Sequence, residues 1–446
     1  MKWKPSTSWS IILLVFFLPH HLFSQQSENR IDLEHADSLV GRNIDGENVR
    51  ELIGHVRFRQ GNVVVNCDHA VQHFQSNKVS LDGNVVVRDD TLTLRGKRGM
   101  YYNVDRIAEA YDGVELTDGR TVLTADFGQY FAKDKRAFFR TNVRVQDSVS
   151  TLTSDELTYF RAEQQSIAVG NVKVVSSQDN ITLYGQFLDH DRKSGFTRMA
   201  QQPRAVQIDT ARDGSLDTLI VLSRIMESYR DSLRRLVAID SVRLWRKSLA
   251  ATARLGFFLT ELDSIILRGE PIVWYEENQI SGDSIFLKLE KRKLRTVYVR
   301  GDAFAISVSD SLFPSRFDQM SGEEITMSVA GDKIQRIDVE RTASSLYFLY
   351  EDVIDSAGRR KEPNGLNKTT GDRVIVEFVD GKSDKIRVLG GVEGEYYPEV
   401  LVEGKESEYN LTGFNWREDR PGKRILQSAK HTGSKSSSKK EPPLHE

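Results

Sequence analysis

The chain has 446 residues, 39% of them hydrophobic and 28% charged, and its 62 basic and 64 acidic side chains leave a formal charge of −2. Such a balance provides no whole-molecule field to gather nucleic acid, so no nucleic-acid partner is expected. The length suits two or three ordinary domains or one long repetitive body, since single cores stop growing at about 250–300 residues. Cys67 is the single cysteine. An internal disulfide is therefore excluded, and an isolated cysteine reads as a small buried hydrophobe rather than a reactive thiol.

At the amino terminus, Lys2 and Lys4 precede an apolar run from Ile11 to Leu18 and then Leu22-Phe23-Ser24. This reads as a secretory signal, residues 1–24, too short to span a membrane. Its removal takes the charge from −2 to −4. No later segment offers the roughly 18 apolar residues of a spanning helix, so a soluble exported protein is expected.

From about residue 31 one phrase recurs. Aligned on a central small residue it reads NVVVNCD at Cys67, TLTLRGK at Gly96, TVLTAD at Ala125, STLTSD at Ser154 and ITLYGQ at Gly185, at spacings of 29, 29, 29 and 31. Less regular copies follow at Ser223, Ala253, Gly282, Gly322 and Gly371, spaced 38, 30, 29, 40 and 49. In every copy the next residue is polar (Asp68, Lys97, Asp126, Asp155, Gln186 and their successors), and the residue two before is apolar except at Thr369. A period of two is that of a strand with one buried face, so the small anchor points inward and its polar neighbour outward. The polar Asp is read as a strand-end or turn residue.

A second strand-like phrase precedes each copy: GHVRFR from Gly54, GNVVVR from Gly83, GVELTD from Gly113, TNVRVQ from Thr141 and GNVKVV from Gly170. Turn chemistry stands between them at Asp89-Asp90, Asp118-Gly119 and Asp147-Ser148. One repeat thus reads as about four short strands. A unit of this size cannot bury its apolar face alone, so units must stack with apolar residues inside and charges outside.

Leu222 to Leu236 also fits helical spacing, but the alternation of Leu236 to Ile239 and of Val242 to Trp245 favours strands. Residues 356–367 read as a polar loop, and the tail 428–446, nearly devoid of apolar residues, as disordered. Two repeat regions are expected, 31–209 and 215–402, the second with insertions.

The G-N-V-x-V phrases (Gly83 to Val87, Gly170 to Val174) and the T-A-D phrase (Thr124 to Asp126), recurring near 29 residues in an exported chain, resemble the OstA-like (LptA-like) family, most clearly over 52–209. The resemblance implies an all-β fold, an elongated, twisted open β-jellyroll of stacked repeats. It also implies a periplasmic carrier or bridge that shields lipopolysaccharide acyl chains in an apolar groove on the way to the outer membrane. Implied partners are lipopolysaccharide, an inner-membrane transporter component, an LptD-like outer-membrane channel reached by edge-strand pairing, and further copies of the chain end to end. This chain departs from the short bridge protein by roughly doubling the repeat region, which leaves its stoichiometry open.

If a groove exists, its candidate lining is Val63, Val65, Val85, Val87, Leu92, Leu94, Val114, Leu116, Leu123, Val143, Val145, Leu152, Val172, Val174 and Leu183. The pattern alone equally allows a dry sandwich core. No catalytic constellation, metal site or cofactor is expected. His69 and His73 beside Asp68 read as strand end and turn, and the adjacent acids Asp89-Asp90 and Glu323-Glu324 point to opposite faces of a strand, which is no glycosidase dyad. The rival classes are a polysaccharide-binding or polysaccharide-active β-helix and a structural envelope spacer.

Overall fold

The structure is a computed structural model and describes residues 31–423 except 179, 211–213, 215, 356–357 and 380–381, with the side chains of 354–355, 358–359 and 382 also left aside. The expected signal 1–24 and tail 428–446 lie outside the described residues. Among the described residues, alternating apolar residues build a single antiparallel sheet of 28 strands, in which most strands pair with their chain neighbours and the shorter ones pair past a neighbour, as β1 does with β3. The first twelve are β1 (Asp32–His35), β2 (Ser38–Ile44), β3 (Glu47–Gln60), β4 (Val63–His73), β5 (Lys78–Asp89), β6 (Leu92–Tyr102), β7 (Ile107–Thr117), β8 (Val122–Phe131), β9 (Arg136–Gln146), β10 (Ser150–Phe160), β11 (Gln165–Ser176) and β12 (Ile181–Asp191).

Each repeat is two long strands rather than four short ones. The phrases that look separate in sequence are the two halves of one bent strand. At the bend stand two successive residues with positive φ: Gly54-His55, Gly83-Asn84, Asp112-Gly113, Thr141-Asn142 and Gly170-Asn171, with φ from +45° to +93°. These pairs recur every 29 residues. Asp82 pairs with Arg98 and Val85 with Gly96, so two residues of β5 face one of β6. That is a β-bulge, which bends the strand and increases its twist.

At three of these bulges the aspartate that follows an anchor closes the bend. Asn84 Nδ2 donates to Asp68 Oδ2 at 2.8 Å, Asn142 Nδ2 to Asp126 Oδ2 at 2.7 Å and Asn171 Nδ2 to Asp155 Oδ2 at 2.8 Å. These aspartates therefore sit within strands, as bulge acceptors, and not at strand ends. A Cβ on Gly83 would lie 2.5 Å from Asp68 Oδ2, so both the positive φ and the close approach require glycine there.

The bends stack into a column and divide the sheet into two walls. One, here the valine wall, comprises 56–67, 85–96, 114–125, 143–154 and 172–185. The other, the tyrosine wall, carries Tyr101, Tyr130 and Tyr159. Val65, Val87 and Leu94 of the first and Leu81, Tyr101 and Phe139 of the second join one buried cluster, so the walls face each other across a common core. A second cluster fills the carboxy-terminal half, and Leu183 packs against both.

The small anchors occupy the inside of the bend. Cys67, Ala125, Ser154, Ser223 and Ala253 are buried, and a Cβ on Gly282 would fall 2.5 Å from Val299 Cγ1 and 2.9 Å from Gly301 O. Gly282→Val is accordingly expected to cost about 3 kcal/mol or more through overpacking, read as a lowered denaturant midpoint, while Cys67→Ser stays near neutral because serine already serves at equivalent positions.

Ile225–Tyr229 and Arg235–Arg246 are strands joined by a turn, as the alternation favoured over the helical spacing. The hairpins Lys293–Asp310/Phe313–Ala330 and Lys333–Asp355/Gly358–Val379, built from strands of 18 to 23 residues, lengthen the valine wall and account for the anchor spacings of 40 and 49. The expected polar loop is strand from Gly358 onward.

One feature contradicts a uniformly charged exterior. On the outer face of the carboxy-terminal valine wall, Phe304, Ile306, Leu346, Phe348 and Leu366 are buried with Val402 and Leu411 and packed by Phe414 and Trp416. A strap, residues 410–423, covers this face. Two buried glutamines on the sheet hold it: Gln319 Oε1 accepts from Leu411 N at 2.9 Å, and Gln279 donates to Asn415 O at 2.6 Å and accepts from Arg417 N at 2.7 Å. Arg420 then caps the carbonyls of Glu276 and Ser248 at 2.5 and 2.8 Å.

Candidate functional site: an apolar file between two walls

Cross-strand pairing places the inner residues of the valine wall in one unbroken line. Phe58 pairs with Val65, and the line continues through Val87, Leu94, Leu116, Leu123, Val145, Leu152, Val174 and Leu183. It crosses the boundary between the two cores without a change of register, through Ala205, Val221, Leu244, Ala251, Val273, Ile280, Ala305 and Met320. At about 4.8 Å per strand, the apolar file is roughly 80 Å long. A parallel row near the bend sets valines against the small anchors, as in Val85–Gly96, Val114–Ala125, Val143–Ser154 and Val172–Gly185.

The file ends in polar groups. Met320 pairs with Ser345 and Ser345 with Thr369, whose hydroxyl oxygens are 2.6 Å apart. Asp318 stands beside this end. It accepts from Phe348 N at 3.1 Å, yet burial pushes its carboxyl up from 3.8 to about 6. The folded state thus holds that proton more tightly than the unfolded chain, so stability is greatest below about pH 4 as far as this group is concerned and declines as pH rises through 6. Asp318→Asn is expected to flatten that decline and to raise stability at pH 7 by on the order of 2 kcal/mol, measured by denaturant unfolding between pH 4 and 7.

All fifteen candidate positions lie on the inner face. Val63, Val65, Val85, Val87, Leu92, Leu94, Val114, Leu116, Leu123, Val143 and Val172 are buried in the first core, whereas Val145, Leu152, Val174 and Leu183 are half-buried against it. Those four are consecutive in the file, across β9 to β12. A cleft of about 250 Å³, lined by Ile31, Leu33, Leu52, Phe58 and Val79 among others, opens the first core at its amino-terminal end. A larger depression of about 720 Å³ lies by the bulge column and is lined chiefly by the polar outer row, including Asn84, Arg95, Glu115 and Asp126.

Opposite the bulge column, the hairpin turns of the two walls meet along a seam, and this polar line escaped the sequence reading. Gln60 Nε2 donates to Asn103 Oδ1 at 2.8 Å, and the Tyr101 hydroxyl donates to Gln60 Oε1. Asp89 accepts from the Tyr130 hydroxyl at 2.5 Å and from Arg161 at 3.2 Å, and the same guanidinium reaches Asp90 at 3.2 Å. Asp118 accepts from Arg192 at 3.1 Å, and Asp209 pairs with Arg292. Burial and the Asp89 charge push the Tyr130 hydroxyl well above its ordinary value, so it remains a donor. The available signal was a second 29-residue series, Gln60, Asp89, Asp118 and Asp147 against Tyr101, Tyr130 and Tyr159.

The side chains set aside in sequence are accounted for structurally. His69 and His73 lie on β4, within 2.9 Å of Glu51 and 3.1 Å of Glu47 respectively, so His69 is a strand residue rather than part of a turn. Burial pushes the Cys67 thiol up to about 12, where it is not nucleophilic.

Residues 28–183 match the model of the OstA-like protein family, and this segment is an OstA-like domain. Among solved structures, similarity is found to LptH from Pseudomonas aeruginosa, described as the LptA homologous periplasmic component of the conserved lipopolysaccharide transport device. The two share 12% identity with a TM-score of 0.26, over 34% of this chain and 95% of that one. No curated protein matches this chain.

Proposed function

We propose that this chain is a periplasmic carrier or bridge that holds lipopolysaccharide acyl chains between its two walls on the way to the outer membrane. The observation that carries this reading is the unbroken apolar file from Phe58 to Met320, set on an OstA-like domain. Exposing an acyl chain to water costs about 0.8 kcal/mol per methylene, so a multi-acyl lipid needs continuous apolar cover across an aqueous gap. Residue-specific chemistry is not required, and no enzymatic role is proposed.

On this reading the regions 31–209 and 215–402 are two lengths of one conduit, since the file runs through both. The sheet's terminal strands pair on one side among the described residues: β1 and β2 only with β3, and Lys382–Leu389 and Glu393–Tyr397 only with Gly358–Val379. Such edges suit β-augmentation, which would join the chain to an inner-membrane transporter component, to an LptD-like channel, or to another copy.

The burial of eleven of the fifteen candidates favours a second reading, a structural spacer with a dry core. Gel filtration of the folded protein with fluorescent lipopolysaccharide separates the two. The carrier reading requires co-elution at a defined stoichiometry; free lipid beside folded protein would put the spacer in front.

A further inference from the structure

Resting on the carrier reading, the geometry points to a side entrance: we propose that an anionic lipid enters through the seam between the walls at β9 to β12, with its phosphate taken by Arg230. Two independent observations converge there. The first is that Val145, Leu152, Val174 and Leu183 are the members of the first core's file left half-buried. The second concerns the seam. On either side it is pinned by direct bridges, Asp89–Arg161 and Asp118–Arg192 before and Asp209–Arg292 after.

At β9–β10 the equivalent carboxylate makes no such bridge among the described residues. Asp147 is spent on its own turn, accepting from Val149 N at 2.9 Å and from Ser150 N and Oγ at 2.7 and 3.0 Å. Against the opposing effect of burial, these donors hold its carboxyl below the ordinary value, with a smaller contribution from the charge of Arg230. Arg230 is exposed, and among the described residues its hydrogen bond is made by its main chain, which donates to Gly195 O at 3.3 Å.

The seam therefore has its weakest closure where the apolar interior is nearest to solvent. Acyl chains inserted there meet the file at its midpoint, where Leu183 touches both cores, and can move towards either end. An exposed guanidinium at the mouth suits a phosphate, which it can bind in a bidentate manner. The neighbouring Asp118–Arg192 bridge is partly exposed, and such bridges are weak individually, so parting the turns beside this point requires little disruption.

The test uses the full mature chain carrying Cys67→Ser, with Asp118→Cys and Arg192→Cys on the two rims joined by a short bis-maleimide. Loading of a bis-phosphorylated, multi-acyl glucosamine lipid is followed by fluorescence. Joining Arg95→Cys to Glu115→Cys, neighbours on β6 and β7, controls for modification within one wall.

The expected result is normal loading before joining, at least a tenfold slower rate once the rims are joined, and no change in the control. Unchanged loading with joined rims would overturn the side entrance and leave the carrier reading standing. Failure of the unmodified protein to load would overturn both. Arg230→Ala is expected to weaken binding of the phosphorylated lipid about tenfold, the scale of one charge-assisted contact, and to leave its dephosphorylated form unaffected; an equal effect on both lipids would remove Arg230 from the mouth.

Discussion

Val87→Asp is expected to unfold the amino-terminal core, whereas Val145→Asp is expected to leave the protein folded and unable to hold lipid. Both residues belong to the same inner file, separated by Leu94, Leu116 and Leu123. Val87 is 4% exposed, so a carboxylate there has neither water nor a partner, and the cost is about 4 kcal/mol or more. Val145 is half-buried and lets a carboxylate reach solvent, at about 1 kcal/mol in stability. It still places a charge where acyl chains would lie. Circular dichroism melts and lipid co-elution of the two variants provide the comparison, and a folded, lipid-loaded Val145→Asp protein would contradict the account.

Removing residues 410–446 is the second large change. It uncovers Phe304, Ile306, Leu346, Phe348 and Leu366, which are 0–6% exposed with the strap in place. An apolar outer face of this kind is an aggregation surface. The truncated protein is expected to bind a hydrophobic dye, to associate in gel filtration, and to lose hydrogen-exchange protection in strands Lys293–Asp310 to Gly358–Val379, with β3 to β8 unchanged. A milder variant, Gln319→Ala, removes the acceptor of Leu411 N and is expected to cost about 1–3 kcal/mol at most, because local detachment of the strap caps the loss. An unaltered, monomeric truncation would show that the strap merely rests on the sheet.

Much of this architecture was legible in the sequence because its signals are local. The alternation in Val85 to Val87 or Leu92 to Leu94 fixes the inward row, and the demand for a small anchor follows from the 2.7 Å between a Cβ on Gly185 and Met199 Cγ. The joining of two phrases into one strand was hidden for a physical reason. Gly83-Asn84 and Asp112-Gly113 adopt positive φ inside a strand, and that is the chemistry by which turns are ordinarily recognised.

Features depending on distant partners were not legible. Asp89 meets Tyr130 and Arg161 at separations of 41 and 72 residues, so next to Asp90 it reads as a solvated turn. The strap's Leu411, Phe414 and Trp416 are scattered through a polar stretch. Their partners, Phe304 and Phe317 among them, face outward on a wall that the repeat pattern assigns to solvent.

The central claim is that lipid occupies the space between the walls, and photocrosslinking in cells tests it most directly. A photoreactive amino acid is placed at Val145, at Leu183 and, as the outward control, at Val86, which pairs with Asn66 and Arg95 in the outer row. The account predicts lipopolysaccharide adducts at Val145 and Leu183 and none at Val86. Folded protein with no adduct at either inner position, or equal adducts at all three, would contradict it.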